Sequence, residues 1–135
     1  MEIKKMKNSR KSNILPKIPA SAAWMPKQFQ RPLFLDIETT GFSGTRNRLF
    51  LIGAAYFENG GVVMEQFFAE SPDEEAALLA AFHDLAEPFE TIVTFRGKWF
   101  DLPFLDRCRK RLGIKSQRYR KKQLVDLYEL AHSFR

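Results

Sequence analysis

Cysteine is nearly absent: Cys108 is the only one in 135 residues. It cannot close an internal disulfide, which suits a reducing cytosol and sets the expectation of a cytoplasmic location. It also excludes a cysteine-rich zinc site. Histidine is almost as scarce, with His83 and His132 alone. Neither has metal-ligand company in the sequence, and both are expected on helix surfaces or at helix ends without a catalytic role. No apolar run comes near the roughly 18 residues of a membrane span. No continuous apolar segment of about 7–15 residues follows the basic N-terminus, so a secretory leader is not expected either.

What the chain does have is apolar bulk, with 44% hydrophobic residues including thirteen phenylalanines, beside 28% charged residues. That composition suits one small soluble domain with a true core. The formal charge of +6 is unevenly spread. Residues 1–31 hold eight Lys/Arg and one Glu, while residues 32–135 hold fourteen Lys/Arg and fifteen Asp/Glu. The first stretch, rich in Lys, Asn, Ser and Pro, reads as a basic disordered tail. The second reads as the folded domain. Within it Arg107, Arg109, Lys110, Arg111, Lys115, Arg118, Arg120, Lys121 and Lys122 crowd one segment. Two basic patches point to a polyanion, nucleic acid first; a solvated helix face plus a tail accounts for the charge equally well.

Order is expected to begin near Pro32. Residues 33–37, 49–57, 62–69 and 91–95 read as strands, and Glu58-Asn59-Gly60-Gly61 as a hairpin turn. Ser71, Pro72 and Glu74 form a capping-box start for a helix carrying Leu78, Leu79, Phe82, Leu85 and Ala86 at helical spacing. A second helix spans 102–112 with Gly113 as its stop, residues 114–122 form a basic loop, and 124–134 read as a third helix with room for a brief strand before it. A β-β-β-α-β-α order implies an α/β fold: a mixed sheet, an antiparallel three-strand meander plus parallel strands, with flanking helices.

Residues 34–44, FLDIETTGFSG, carry the chemistry. In a strand, residues i and i+2 share a face, so Asp36 and Glu38 project together. At about 6 Å two carboxylates repel by roughly 3 kcal/mol at an effective dielectric near 20. A hard divalent cation with oxygen ligands relieves that repulsion; alternatively Glu38 faces water and Asp36 bonds nearby amides. Asp101, in VTFRGKWFDLPFL, opens the second helix, where Asp also serves as an N-cap. If the first and fourth strands are neighbours, Asp101 approaches Asp36 and Glu38, and three converging carboxylates make a metal site.

FLDIETTGF followed by VTFRGKWFDLPFL resembles the first two motifs of the DEDD (DnaQ-like) 3′–5′ exonucleases of the ribonuclease-H-like superfamily. With LFLIGAAYF between them and LVDLYELAHSF after, the chain resembles the YprB-type ribonuclease-H-like domain over residues 33–134. The resemblance implies a two-metal nuclease acting on DNA or RNA 3′ ends. Asp36, Glu38 and Asp101 would hold two Mg²⁺ or Mn²⁺ ions, one helping to generate hydroxide and the other stabilising the leaving 3′ oxygen. Thr39, Thr40 and Gly41 would place backbone near the terminal nucleotide. Phe42 would stack on the terminal base, unless it packs within its own turn.

Two departures from the pattern matter. Arg96 stands where the YprB-like pattern usually has Asn, and it could pair with a phosphate, pair with a site carboxylate or displace a metal. The third motif, a His or Tyr four or five residues before a fourth Asp, is missing: Lys121 and Lys122 precede Asp126, which resembles a structural residue rather than a ligand. The resemblance therefore implies a fold incomplete at its C-terminal end and a weakened or lost activity. The competing expectations are a non-catalytic nucleic-acid binder using the tail and the 107–122 patch, or an interaction module whose uncovered sheet meets a partner or a second copy.

Overall fold

The computed structural model describes residues 31–115 and 121–134. The basic tail and the Arg118 and Arg120 part of the basic patch lie outside the described residues. The elements are β1 (Pro32–Thr39), β2 (Leu49–Glu58), β3 (Gly61–Phe68), a 3-10 turn (Pro72–Glu74), α1 (Glu75–Ala86), β4 (Thr91–Thr94), α2 (Asp101–Arg111), β5 (Gln123–Asp126) and α3 (Leu127–Ser133). The sheet order is β3-β2-β1-β4-β5. β1 pairs antiparallel with β2 and parallel with β4, β2 pairs antiparallel with β3, and β4 pairs parallel with β5. This is the expected ribonuclease-H-like mixed sheet, with β1 in its centre. Among the described residues no helix is long and apolar enough to cross a membrane.

Strand alternation divides the chemistry between two faces. Leu33, Leu35 and Ile37 are buried on one side of β1, and Ile52, Ala54 and Phe67 extend that apolar layer across β2 and β3. Asp36 and Glu38 take the opposite parity and are exposed. The turn between β2 and β3 uses Asn59 and Gly60, both with positive φ (50° and 77°), the twist a tight hairpin needs.

α1 buries Glu75, Leu78, Leu79, Phe82, His83 and Ala86, one stripe at helical spacing. His83 lies four residues after Leu79 and so falls within this stripe. The expectation of a surface histidine is corrected: the ring is buried beside Phe82, at 6.1 Å between centroids. His132 is exposed as expected. The capping box is also corrected. The Ser71 side chain makes no cap bond, and the Glu74 carboxylate accepts from the Glu70 amide at 2.7 Å, because a 3-10 turn precedes the α-helix proper.

The first residue of α1 ties the layers together. The Glu75 carboxylate is 2% exposed, accepts from Arg111 on α2 at 2.6 Å and from the Leu49 amide at 2.8 Å, and receives the Cys108 thiol at 3.2 Å. Burial pushes its pKa up, but those donors, Arg111 foremost, outweigh burial and hold it below the usual 4.5. Burial and the same carboxylate push the Cys108 thiol up to about 12, so it stays protonated.

Removing Glu75 leaves the Leu49 amide and the Cys108 thiol without their acceptor, while the partly exposed Arg111 can turn to water. Glu75→Ala is expected to cost about 1–3 kcal/mol in urea unfolding. Because the folded pKa of Glu75 is depressed, its contribution is complete above about pH 4.5 and is lost as pH falls below that. Glu75→Gln should therefore show a shallower acid loss of stability than the parent, and equal slopes would contradict this account.

Candidate functional site

The site forms where β1 and β4, parallel neighbours, end on the same edge of the sheet. Pairing between β1 and β2 runs in register up to Glu38 opposite Leu51, then slips so that Thr39 faces Leu49. This bulge at Phe50 ends the ladder directly after the second carboxylate, as bulges beside functional sites do. It was not anticipated from the sequence.

Beyond the bulge, residues 40–48 make a tightly wired loop. The Thr40 amide donates to the Arg48 carbonyl at 2.9 Å, and the Thr40 hydroxyl accepts from the Arg48 amide at 2.8 Å. The Thr39 hydroxyl donates to the Gly41 carbonyl at 2.8 Å. Both hydroxyls are thus engaged inside the loop, which leaves shape and backbone as what this stretch presents. Gly44 is pressed against α2, where an added Cβ would lie 2.8 Å from the Phe104 carbonyl, and Arg111 donates to the Gly44 carbonyl at 3.3 Å. Phe42 is 88% exposed and meets Phe100 edge-on at 6.0 Å, so it is not a core residue.

Asp101 opens α2 and is only 5% exposed. Its side chain makes no N-terminal cap bond, since Phe100 occupies the cap position and itself makes none. Burial, and after it the charges of Asp36, Asp126 and Glu38, push the Asp101 carboxyl up from 3.8 to about 7. The three expected carboxylates are therefore brought within electrostatic reach of one another. All their donor atoms are oxygens, the chemistry that suits Mg²⁺ or Mn²⁺. Among the described residues no three Asp, Glu, His or Cys side chains are already drawn together at ligand spacing.

Asp126 does structural work. One of its oxygens accepts from the Arg96 amide at 2.9 Å and from the Tyr128 amide at 3.0 Å, capping α3, and the other accepts from the Lys98 amide at 3.1 Å. Burial opposes its charge, but these amides hold its pKa below 3.8. Arg96 sits at φ +62°, the left-handed region where Asn is favoured. Its guanidinium lies over the Tyr128 ring, 4.2 Å from the centroid.

The basic 107–122 patch is smaller than the sequence implied. Arg109 is buried, with Asp106 at 3.0 Å and the Ile114 carbonyl at 2.6 Å. Lys110 also pairs with Asp106, at 3.0 Å, and Lys122 bonds the Glu87 and Phe89 carbonyls at 3.0 and 2.6 Å. With Arg111 on Glu75, four of the patch's cations are committed to the fold. Helix periodicity directed Arg109 inward, four residues after Leu105.

Because the folded pKa of Asp101 lies above its unfolded value, the parent should lose stability as pH rises from about 4 to about 7. Asp101→Asn stays neutral throughout. In chelator, its stability relative to the parent should grow across that window by up to a few kcal/mol, at about 1.4 kcal/mol per pKa unit. A difference that does not change with pH would mean that the Asp101 carboxyl is not held above its ordinary value.

Residues 33–134 match a family described as the RNase H superfamily. A stretch of 71 residues, 52% of the chain, is 37% identical to the protein YprB of Bacillus subtilis (strain 168) and covers 17% of that protein. The family B DNA polymerase of Pyrobaculum calidifontis superposes over 77% of this chain and 16% of its own, with a TM-score of 0.66 at 23% identity. E. coli Exonuclease I in complex with a dA16 oligonucleotide superposes over 76% of this chain and 29% of its own, with a TM-score of 0.62 at 19% identity. At those identities the two structures are similar in fold. The chain spans less than a third of the length of each of these relatives.

Proposed function

The chain belongs to the RNase H superfamily, and on that premise we propose that it is a metal-dependent 3′–5′ exonuclease-like domain acting on nucleic-acid ends. One observation carries the proposal: Asp36 and Glu38 lie on β1, Asp101 opens the helix that follows the neighbouring parallel strand β4, and after burial the charges of Asp36 and Glu38 are among those that raise the Asp101 pKa. A fold that confines negative charge in this way favours whatever neutralises it, a proton in the empty site or a dication in the loaded one. In this reading Asp36, Glu38 and Asp101 hold Mg²⁺ or Mn²⁺. When bound, the ions supply Lewis-acid activation of water and stabilise charge on the leaving oxygen.

The rest of the site is assigned to positioning. The wired loop of Thr39, Thr40 and Gly41 offers a fixed backbone surface to the terminal nucleotide, and the exposed Phe42 ring offers a stacking partner to its base. Arg96 offers its guanidinium to a phosphate. The polymerase and exonuclease that share the fold are proteins of nucleic-acid metabolism by their names, and one was solved with an oligonucleotide. Here nucleic acid is the proposed ligand.

A second reading is binding without hydrolysis. It is favoured by the absence, among the described residues, of a ready-formed group of three ligands. The two readings separate in one assay: 5′-labelled DNA and RNA oligomers incubated with the purified chain and Mn²⁺, products resolved by length. Nuclease action predicts a ladder shortened from the 3′ end, reduced to the level of the metal-free control by Asp36→Asn with Glu38→Gln. Binding alone predicts intact oligomers and retardation on a native gel that survives both substitutions and falls steeply with salt.

A further inference from the structure

β3 is an edge strand: β2 pairs one side of it, and among the described residues no strand pairs the other. The Ala69 amide donates to the Phe50 carbonyl at 2.9 Å, which makes Ala69 and Phe50 a hydrogen-bonded pair of the antiparallel register. By alternation Phe67, Glu65 and Val63 also turn their backbone groups to β2, so Val62, Met64, Gln66 and Phe68 turn theirs outward. The side chains of these four lie on the face opposite the core, where Met64 is 66% exposed. Free N–H and C=O groups beside exposed apolar side chains are a template for another strand.

The usual guards of a free edge are missing. Between Gly61 and Phe68 there is no Pro, Lys or Arg. An inward charge guards an edge when a newcomer must bury it. Glu65 points inward, but it is already only 9% exposed and accepts from the Tyr56 hydroxyl at 2.7 Å, so an added strand takes little water from it.

The sequence of the strand says which occupant fits. A strand can pair antiparallel with its own copy about a two-fold axis, an arrangement that closes on itself. An axis at Glu65 would set two carboxylates opposite each other. An axis at Met64 would set Val62 against Gln66 of the second copy, twice. An axis at Gln66 sets the two Gln66 amides on each other and Met64 against Phe68 of the second copy, twice. Amide then meets amide, and thioether meets ring. In this register the ladder runs from Met64 to Phe68 and stops, because the next outward amide, that of Glu70, already donates to the Glu74 carboxylate at 2.7 Å.

We propose that β3 is a self-association edge: two copies of this chain pair their β3 strands antiparallel about Gln66 and join their sheets into one. The partner is a second copy because the outward residues carry no charge to select a charged segment, and they complement themselves in this one register. Nothing in the pairing depends on the carboxylate site or on a metal.

Sedimentation velocity of the full chain in chelator, over a series of concentrations, reads the state directly. The expected result is a reversible monomer–dimer transition. Met64→Pro removes an outward N–H and no bond to β2, and Met64→Lys adds a guarding charge. Each should weaken dimerisation at least about 10-fold, with a melting temperature close to the parent's. Opposed Gln66 positions lie about 5.5 Å apart at Cα, within reach of a disulfide. Gln66→Cys should therefore give a covalent dimer on mild oxidation. Met64→Cys should not, since four residues of strand separate those positions by about 14 Å. A chain that stays monomeric at every concentration would leave the edge to a foreign strand and overturn the proposal. So would a dimer that a folded Met64→Lys protein retains, cross-linking through Met64→Cys in place of Gln66→Cys, or assembly that continues past two copies.

Discussion

The ion pair between Glu75 and Arg111 is the contact on which the site edge depends. It joins α1 to α2, fixes the start of β2 through the Leu49 amide, and leaves Arg111 with donors for the Gly44 and Asn47 carbonyls at 3.3 and 3.4 Å. The loop after β1 is therefore anchored at its far end to the same carboxylate that seats the helices. The buried Glu75 carboxylate is costly to desolvate, and the partly exposed Arg111 offsets that cost only when the remaining lone pairs are also satisfied. Here they are, by a backbone amide and a thiol. The Cys108 Sγ is held there as a protonated donor, which accounts for the one cysteine in chemical terms.

On that frame the site is a balance of repulsions. Strand parity places Asp36 and Glu38 on the face opposite the core, the bulge at Phe50 frees the chain immediately after them, and α2 brings Asp101 in from the neighbouring strand. Asp126 adds a further negative charge but satisfies it internally with three amides, so it shapes the β4–α2 loop without joining the donor set. Burial and the neighbouring charges push the Asp101 carboxyl up to about 7, and on the proposed reading a dication would compete with its proton.

Much of this was legible in the sequence, because it is local. Alternation gave the strands and the shared face of Asp36 and Glu38, and Asn59-Gly60 gave the hairpin; Asp101 approached the first carboxylates only on the condition that the first and fourth strands are neighbours, a pairing the structure supplies. The long-range contacts were not legible. Nothing near Glu75 in the chain announces Arg111, 36 residues away. His83 and Arg109 looked like surface polar residues, although their spacing from Leu79 and Leu105 pointed inward. At Ser71 a local cap motif lost to a 3-10 turn. The left-handed backbone at Arg96 was hidden because Arg is not a residue that advertises it, whereas the Asn usual in the YprB-like pattern does.

The central claim is that Asp36, Glu38 and Asp101 form one dication site on a folded domain. Its most direct test is thermal unfolding with and without Mn²⁺, for the parent and for Asp36→Ala with Glu38→Ala. An ion that binds only the folded state must raise the melting temperature. The account predicts a cooperative melt that Mn²⁺ raises in the parent and leaves unchanged in the double variant. The same response in both proteins would contradict it.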